Sequence, residues 1–341
     1  MATDPGTTEE AAVQEERHVD DEVARLALDH FDFSPDVQLR MINLSENATY
    51  LVEDAATQRD GVLRVHRENY HRADSIESEL LWLDALREEA GIRTPAVLPT
   101  RDGRRVVSIE HRGTERHAVL FEMMGGIEPD ETAVGKADFH TLGGLTARLH
   151  QHGRAWRRPP GFTRFSWDWQ HTLGSAPRWG RWQDGIGIGD AEVALLSRST
   201  DLLHDRLRAF GDGRDRFGLV HADLRLANLL VDGDRVNVID FDDCGFSWFL
   251  YDFGSAVSFM EDDPRLGEWQ AAWVDGYREV AELSADEEEM LATFVMLRRM
   301  MLVAWMGSHS HSRECQVKGP RYARGTCELA ERYLSTDGRS L

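Results

Sequence analysis

Lysine is almost absent from this chain of 341 residues. It occurs only at Lys136 and Lys318, and the 39 basic residues are outnumbered by 60 acidic ones. The formal net charge of -21 opposes general binding to nucleic acid or to an anionic membrane, because those surfaces repel an acidic protein. We therefore expect no nucleic acid and no membrane among its partners.

Cysteine is also scarce, and Cys244, Cys315 and Cys327 have the spacing of neither a disulfide framework nor a zinc site. The sequence lacks a signal peptide and a long apolar run. These absences predict a cytoplasmic protein. The length is sufficient for two domains or lobes with a substantial core.

The residues that indicate chemistry are concentrated in the stretch from His221 to Asn228 and in the segment from Val238 to Phe241. Asp223, Asn228 and Asp240 carry the carboxylate and amide oxygens that magnesium prefers as ligands. A carboxylate that does not bind the metal could orient a hydroxyl and accept its proton. These two segments therefore predict metal-bound phosphate chemistry.

Between the two segments the sequence predicts a β-hairpin. Leu229 to Val231 is typical of a strand, Asp232 to Asp234 of a turn, and Val236 to Phe241 of the returning strand. Because a hairpin brings its two ends together, it would place Asn228 beside Asp240. The alternative interpretation is an ordinary hairpin with an acidic mouth.

The pattern His-x-Asp-x-x-x-x-Asn, followed by Ile-Asp, resembles the catalytic loop and metal motif of the protein-kinase-like phosphotransferases. It is more closely similar to the family of aminoglycoside phosphotransferases, choline kinases and type II homoserine kinases. The resemblance covers about residues 35–335. It implies an α+β fold of two lobes, with an antiparallel sheet in the N-terminal lobe and a mainly helical C-terminal lobe.

Position by position, the resemblance implies roles for the residues of the motif. Asp223 would be the catalytic base, and Asn228 and Asp240 would hold magnesium. Arg225 stands two residues after the base, where protein kinases have a lysine that stabilises the transferring phosphoryl group. Arg225 would therefore take the same role.

Three further residues are expected to support the catalytic loop rather than to react. His150 ends a predicted helix, His221 begins the loop, and Asp252 follows the metal motif. His150 is expected to pack or to form a hydrogen bond in support of the loop, His221 to hold the backbone, and Asp252 to accept structural hydrogen bonds.

Several residues of the first lobe match positions that bind ATP in this family. Arg64 lies on a predicted strand where kinases usually have lysine, and Glu79 lies on the inward face of the next helix as its expected partner. The turn that contains Ser45 would cover the phosphates, and Glu122 and Met123 would form the hinge that binds adenine. The alternatives are a surface arginine, a glutamate paired elsewhere and a plain polar hairpin.

The predicted organisation has three parts. Residues 1–20 are acidic and predict a disordered tail, residues 21–124 form the nucleotide-binding lobe, and residues 125–341 form the catalytic and substrate lobe. Within the last part, residues 154–190 form a Trp-rich insert. This insert either covers the substrate or packs against its lobe.

The acidic composition favours an acceptor that carries an amine. Of Asp242 and Asp243, one would bind the cationic group of this acceptor or support the metal shell, and the alternative is that both are simply exposed acids. We expect ATP- and magnesium-dependent transfer of the γ-phosphoryl group to a hydroxyl of an amino alcohol, hydroxy amino acid, amino sugar or aminoglycoside. The enzyme would be a monomer or a homodimer. The alternatives are a bacterial Ser/Thr protein kinase of the same fold and a nucleotide-binding regulator without turnover, which only Arg64 in place of lysine supports.

Overall fold

A computed structural model describes residues 5–44, 47–309 and 313–341 of the chain. The chain divides into two units. The first unit comprises Met1–Asp84, Thr94–Gly125 and Pro160–Thr163, and the second comprises Ala85–Arg93, Gly126–Pro159 and Arg164–Leu341.

The first unit contains a five-stranded antiparallel sheet with the strand order β1-β2-β3-β5-β4. The strands are β1 (Gln38–Leu44), β2 (Ala48–Asp54), β3 (Arg59–Val65), β4 (Val107–His111) and β5 (Thr114–Glu122). Helix α1 (Pro5–Leu28) precedes the sheet, and helix α2 (Ala73–Glu89) follows β3.

The core of the first unit lies between α1 and one face of the sheet. Successive side chains of a strand point to opposite faces, so alternate residues such as Leu63 and Val65 of β3 are buried together. Val23 and Ala27 of α1 are buried in the same cluster. The helix therefore covers the apolar face of the sheet.

The N-terminal segment differs from the predicted disordered tail of residues 1–20. Helix α1 begins at Pro5 and therefore includes most of the segment that the sequence predicts as a tail. Two of the nearby acidic side chains have partners within the unit rather than water. Asp20 is buried and binds Arg116 at 2.5 Å, and the hydroxyl of Tyr50 donates to Asp21 at 2.9 Å. Because these partners lie far along the chain, the local composition did not reveal them.

The second unit is mainly helical, and with the sheet of the first unit it confirms the predicted α+β fold class. Its helices are α3 (Lys136–Ala155), α4 (Trp169–Thr172), α5 (Asp190–Phe210), α6 (Tyr251–Ala256), α7 (Leu266–Arg278), α8 (Ala285–Glu289), α9 (Leu291–Ser308) and α10 (Arg313–Ser335). Two short pairs of antiparallel strands complete it, β6 (Phe217–Val220) with β9 (Gly245–Trp248), and β7 (Leu229–Asp232) with β8 (Arg235–Val238).

Helix α9 corrects the expectation that the chain lacks a long apolar run. The segment Ala285–Ser308 is long and apolar enough to cross a membrane by length and composition, but 94% of the tested window is buried inside the protein. A buried apolar helix of this kind is typical of a protein core. Arg298 and Arg299 interrupt its apolar sequence and are both buried.

Helices α3 and α7 approach each other closely at two glycines. A Cβ atom at Gly143 would lie 2.0 Å from the carbonyl oxygen of Trp273, and one at Gly276 would lie 1.9 Å from that of His140. Gly144 has more room, because its nearest neighbour would be a carbonyl oxygen at 3.4 Å. The contact therefore requires glycine at position 143 but not at position 144.

We predict that Gly143→Ala lowers the free energy of unfolding by about 1–3 kcal/mol, because the added methyl group must displace the backbone of α7. Gly144→Ala is the matched control on the same helix. It should leave stability unchanged or raise it by up to ~1 kcal/mol through helix propensity. Urea unfolding followed by circular dichroism measures both, and equal stabilities of the two variants would contradict the close approach.

Candidate active site

The predicted hairpin is present and joins the two halves of the motif. Leu229 of β7 pairs with Val238 of β8, and the N–H of Ile239 donates to the carbonyl of Asn228 at 3.0 Å. Asp240 follows directly, so Asn228 and Asp240 stand at the same end of the hairpin, as predicted.

The returning strand was predicted to continue to Phe241, but β8 ends at Val238. The reason is the backbone of Asp240, whose φ of 59° lies in the left-handed region. That conformation breaks the extended chain, and aspartate tolerates it better than most residues do.

The buried carboxylate of Asp252, at the start of α6, holds the backbone of the catalytic loop by hydrogen bonds. It accepts hydrogen bonds from the N–H groups of His221 at 3.2 Å and Ala222 at 2.8 Å. Ala222 has a φ of 66°, a conformation that costs a non-glycine residue about 1–3 kcal/mol. The two bonds to Asp252 therefore fix a strained backbone immediately before Asp223, and the predicted supporting role of Asp252 is confirmed.

His150 supports the same carboxylate from α3. Its Nε2 lies 3.2 Å from Asp252 Oδ2, and its Nδ1 lies 3.0 Å from the hydroxyl of Tyr277. Burial lowers the pKa of His150, although the charge of Asp252 acts in the opposite direction. His150 is fully buried, so the prediction that it supports the loop is confirmed.

Both ring nitrogens of His221 are engaged by backbone groups. The N–H of Asp223 donates to Nδ1 at 3.2 Å, so the ring proton resides on Nε2, which donates to the carbonyl of Ile239 at 3.1 Å. His221 thereby ties the catalytic loop to the end of the hairpin. Its predicted role of holding the backbone is confirmed.

The carboxylate of Asp223 is bound through both oxygens. Oδ1 accepts from Nη2 of Arg298 at 2.5 Å, and Oδ2 accepts from the side-chain amide of Asn228 at 2.8 Å. Nε of Arg225 lies 3.6 Å from Oδ2. The side chain is 17% exposed, so it is mostly shielded but can be reached by a substrate.

The charge state of Asp223 follows from these neighbours. Burial alone would raise its pKa, but the positive charges of Arg298 and Arg225 outweigh burial and hold the pKa below the ordinary value. The group therefore remains a carboxylate at neutral pH. A fixed, ionised carboxylate can orient a hydroxyl and accept its proton.

The oxygens of Asn228 and Asp240 fit a magnesium ion that is completed by phosphate and water. Within the described ranges 5–44, 47–309 and 313–341, no group of three or more His, Cys, Asp or Glu side chains could hold a metal. The described part of the chain therefore contains no metal site built from three or more such side chains. Magnesium bound to substrate phosphates commonly needs only one or two protein ligands, and this pair meets that requirement.

Arg298 is the residue of this site that the sequence analysis missed. It lies in the middle of α9, 75 residues after Asp223. An arginine inside an apolar helix must have a polar partner, so the sequence contained a signal that a partner exists. It contained none that identified Asp223 as that partner.

In the first unit, the predicted pair of Arg64 and Glu79 is present. Nη2 of Arg64 on β3 donates to Oε1 of Glu79 on α2, and both side chains are buried. The Arg64 guanidinium also lies 5.0 Å from the ring centroid of Phe121. This contact fixes the arginine on the sheet, in contrast to the surface arginine that was the alternative.

The residues predicted to bind adenine, Glu122 and Met123, lie at the end of β5. Glu122 ends β5, and its N–H donates to the carbonyl of Ala96 at 2.8 Å. Met123 follows, with 49% of its surface exposed. Ser45 lies outside the described residues.

Part of the Trp-rich insert packs inside the second unit. Trp167, Trp179 and Trp182 are buried, and the first two are in edge-to-face contact with ring centroids 5.1 Å apart. The indole N–H of Trp167 donates to the carbonyl of Asp243 at 2.8 Å. The insert therefore positions the loop after the metal motif.

Asp242 and Asp243 differ in exposure. Asp242 is buried, and its carbonyl accepts from Nη2 of Arg164, whereas Asp243 is half-buried. Burial alone would lower the pKa of Arg298, but its neighbours Tyr251, Asp223 and Asp243 raise it. The charge of Asp243 thus acts on Arg298, the partner of Asp223.

Comparison with known proteins agrees with this geometry. Residues 41–288 match the family described as the phosphotransferase enzyme family. Amicoumacin kinase of Bacillus subtilis (strain 168) is 24% identical over 294 residues, which is 83% of this chain and 83% of that protein.

Two solved structures extend the comparison. The structure of a microcompartment-associated aminopropanol kinase has 59% identity and a TM-score of 0.87, and the match covers 93% of this chain and 98% of that one. The amicoumacin kinase hAmiN, solved with AMP-PNP and Ca2+, has 22% identity and a TM-score of 0.76, with 94% and 96% covered. Since the family match spans more than half of the chain and a solved kinase is 59% identical to it, the chain belongs to the phosphotransferase enzyme family and is a small-molecule kinase.

Proposed function

We propose that this kinase transfers the γ-phosphoryl group of ATP to the hydroxyl of a small amino alcohol, in the cytoplasm and with magnesium. The observation that carries the proposal is the carboxylate of Asp223, held by Arg298 and Asn228 and adjacent in the fold to the predicted magnesium ligands. The reaction needs little covalent chemistry from the protein, so positioning and charge neutralisation provide most of the catalysis.

The chemical step begins with the acceptor hydroxyl bound to Asp223. The hydroxyl oxygen forms a bond to the γ-phosphorus, the bond from that phosphorus to the β-phosphate oxygen breaks, and ADP leaves. Asp223 accepts the hydroxyl proton. Arg225, beside Asp223, contributes positive charge where negative charge spreads over the transferring group.

Asn228 and Asp240 would hold magnesium through the amide oxygen and the carboxylate. When bound, the ion neutralises charge on the phosphates. The related hAmiN kinase holds AMP-PNP and Ca2+ in its solved structure, which supports a nucleotide and a divalent cation for this chain.

Arg64 would bind the α- and β-phosphates, with Glu79 holding its guanidinium in place. An arginine presents a planar fork of donors that suits phosphate oxygens, so it can replace the lysine of other kinases. Ser45 would add a phosphate contact, and Glu122 and Met123 would bind adenine through their backbone, as the family resemblance implies.

The acceptor is proposed from the relative with 59% identity, whose described substrate is aminopropanol. The half-buried carboxylate of Asp243, and with it Asp242, would bind the ammonium group of such a molecule. The proposed state of assembly is a monomer or a homodimer.

Acceptor preference tests this proposal. We predict that the aminopropanols stimulate ADP release from Mg-ATP more than homoserine, choline, amino sugars or aminoglycosides do. In the corresponding propanediol a hydroxyl replaces the amine, and its kcat/KM should be about 100-fold lower, because the carboxylate of Asp243 would then have no ammonium group to bind. Asp243→Asn should reduce that difference. Equal kcat/KM values for the aminopropanol and the propanediol would contradict an acceptor that is recognised by its amine.

We predict that Asp223→Asn lowers kcat by about 10²–10⁴-fold, because an amide cannot take the proton from the substrate hydroxyl. The variant should still bind Mg-ATP. Stopped assays of ADP release and calorimetric titration measure the two effects. Asp234→Asn, at the exposed hairpin turn, is the control for a change of charge alone. Full turnover by Asp223→Asn would exclude the assigned role.

We predict that Arg64→Ala weakens Mg-ATP binding by about 1.5–3 kcal/mol, the free energy of hydrogen bonds to a charged group. Arg64→Lys retains the charge beside Glu79 and serves as the control for a fold damaged by an unpaired carboxylate. The dissociation constant is measured by calorimetry on variants with a cooperative melting transition. An unchanged affinity in folded Arg64→Ala would remove Arg64 from the nucleotide site.

A further inference from the structure

We propose that Arg298 is a positioning residue for phosphoryl transfer and that it acts through Asp223. The inference rests on the proposed function of Asp223 as the catalytic base. It assigns a role to an arginine that lies outside the catalytic motif and inside the core helix α9.

The guanidinium of Arg298 is fixed at each of its nitrogens. Nε donates to the hydroxyl of Ser258 at 2.9 Å, Nη1 donates to the hydroxyl of Tyr251 at 3.1 Å, and Nη2 donates to Oδ1 of Asp223 at 2.5 Å. Nη1 also lies 3.4 Å from the carbonyl of Ala222. A buried arginine with this many partners has one orientation. The position of Nη2, which donates to Asp223, is therefore fixed.

The Trp-rich insert covers the face of this guanidinium. The Arg298 Cζ lies 5.0 Å from the ring centroid of Trp179, within the range of a cation–π contact. Trp179 is itself buried against Trp167. The aromatic ring thus keeps water from the arginine and shields its bond to Asp223.

Arg298 and Asn228 together hold the plane of the Asp223 carboxylate. One binds each oxygen, so rotation of the carboxylate about its Cβ–Cγ bond would break both hydrogen bonds. Each carboxylate oxygen accepts about two hydrogen bonds, which leaves a direction for the acceptor hydroxyl. The acceptor hydroxyl is thereby presented to a base of fixed orientation. Catalysis is sensitive to this orientation, because misplacement of a reacting group by about 1 Å can lower the rate about 100-fold.

The neighbouring residue Arg299 provides a contrast within the same helix. Its guanidinium binds Glu261 at 2.7 Å, the hydroxyl of Thr326 at 2.8 Å and the carbonyl of Tyr322 at 3.0 Å. These partners connect α9 to α10 and to the loop before α7. Two adjacent buried arginines therefore bind different targets: the proposed base for one and structural elements for the other.

The experiment compares Arg298→Gln, Arg298→Lys and Arg299→Gln in the full chain, with Asp223→Asn and the double variant Asp223→Asn/Arg298→Gln. Initial rates give kcat and KM for ATP and for the best acceptor of the panel. Each kcat is divided by the fraction of protein that binds Mg-ATP in calorimetry. That correction removes losses caused only by misfolded enzyme.

We expect Arg298→Gln to lower kcat by about 100-fold, because the proposed base loses its fixed orientation. The KM for ATP should change less than about threefold, because the substitution leaves the proposed nucleotide contacts intact. Arg298→Lys should give an intermediate kcat, because lysine keeps the charge but lacks the fork. Arg299→Gln should lower the melting temperature and keep kcat.

The double variant decides whether Arg298 acts through Asp223. If it does, Asp223→Asn/Arg298→Gln has the kcat of Asp223→Asn, because a base that is absent needs no positioning. The double variant also removes both charges, so neither is left buried without the other. Multiplied losses in the double variant, a wild-type kcat in Arg298→Gln, or an equal loss in Arg299→Gln would each overturn the inference. Failure of the proposed function itself is distinct, because wild-type enzyme would then show no acceptor-dependent turnover.

Discussion

The second unit depends on keeping one mostly shielded carboxylate charged. Transfer of a carboxylate out of water is unfavourable unless opposite charge and hydrogen-bond donors replace the water. Asp223 receives a guanidinium at one oxygen and an amide at the other, and a second arginine lies nearby. Helix α9 and the hairpin supply these groups, so the packing of the core and the charge state of the proposed base are linked.

The backbone that presents this carboxylate is strained and is stabilised by a second buried acid. Ala222 adopts a left-handed conformation, and Asp252 compensates by accepting hydrogen bonds from Ala222 and His221. His150 then binds Asp252 from another helix. A chain of hydrogen bonds therefore runs from α3 through α6 to the catalytic loop. A substitution at His150 would alter the position of the proposed base, although His150 itself does not contact the proposed base.

Arginine is the cation of buried ion pairs in both units. Arg64 binds Glu79 and Arg116 binds Asp20 in the first unit, and Arg298 binds Asp223 and Arg299 binds Glu261 in the second. Such pairs contribute little net stability, because desolvation offsets much of their attraction. They do fix geometry, since a planar guanidinium binds carboxylates in a defined direction. The scarcity of lysine in the composition thus agrees with a structure that uses arginine for orientation.

The sequence by itself determined the features that depend on spacing along the chain. It predicted the hairpin that brings Asn228 and Asp240 together, the pair of Arg64 and Glu79, and the supporting roles of His150, His221 and Asp252, because each follows from a local element or a recognisable motif. Only the tertiary structure revealed the partners of Asp20 and Arg298. Their contacts span 96 and 75 residues, and the pairing of charges over such separations is decided by the packing of helices against the rest of each unit. An acidic segment therefore suggested a solvated tail where the structure has a buried ion pair, and a core arginine gave no indication that its partner is the proposed base.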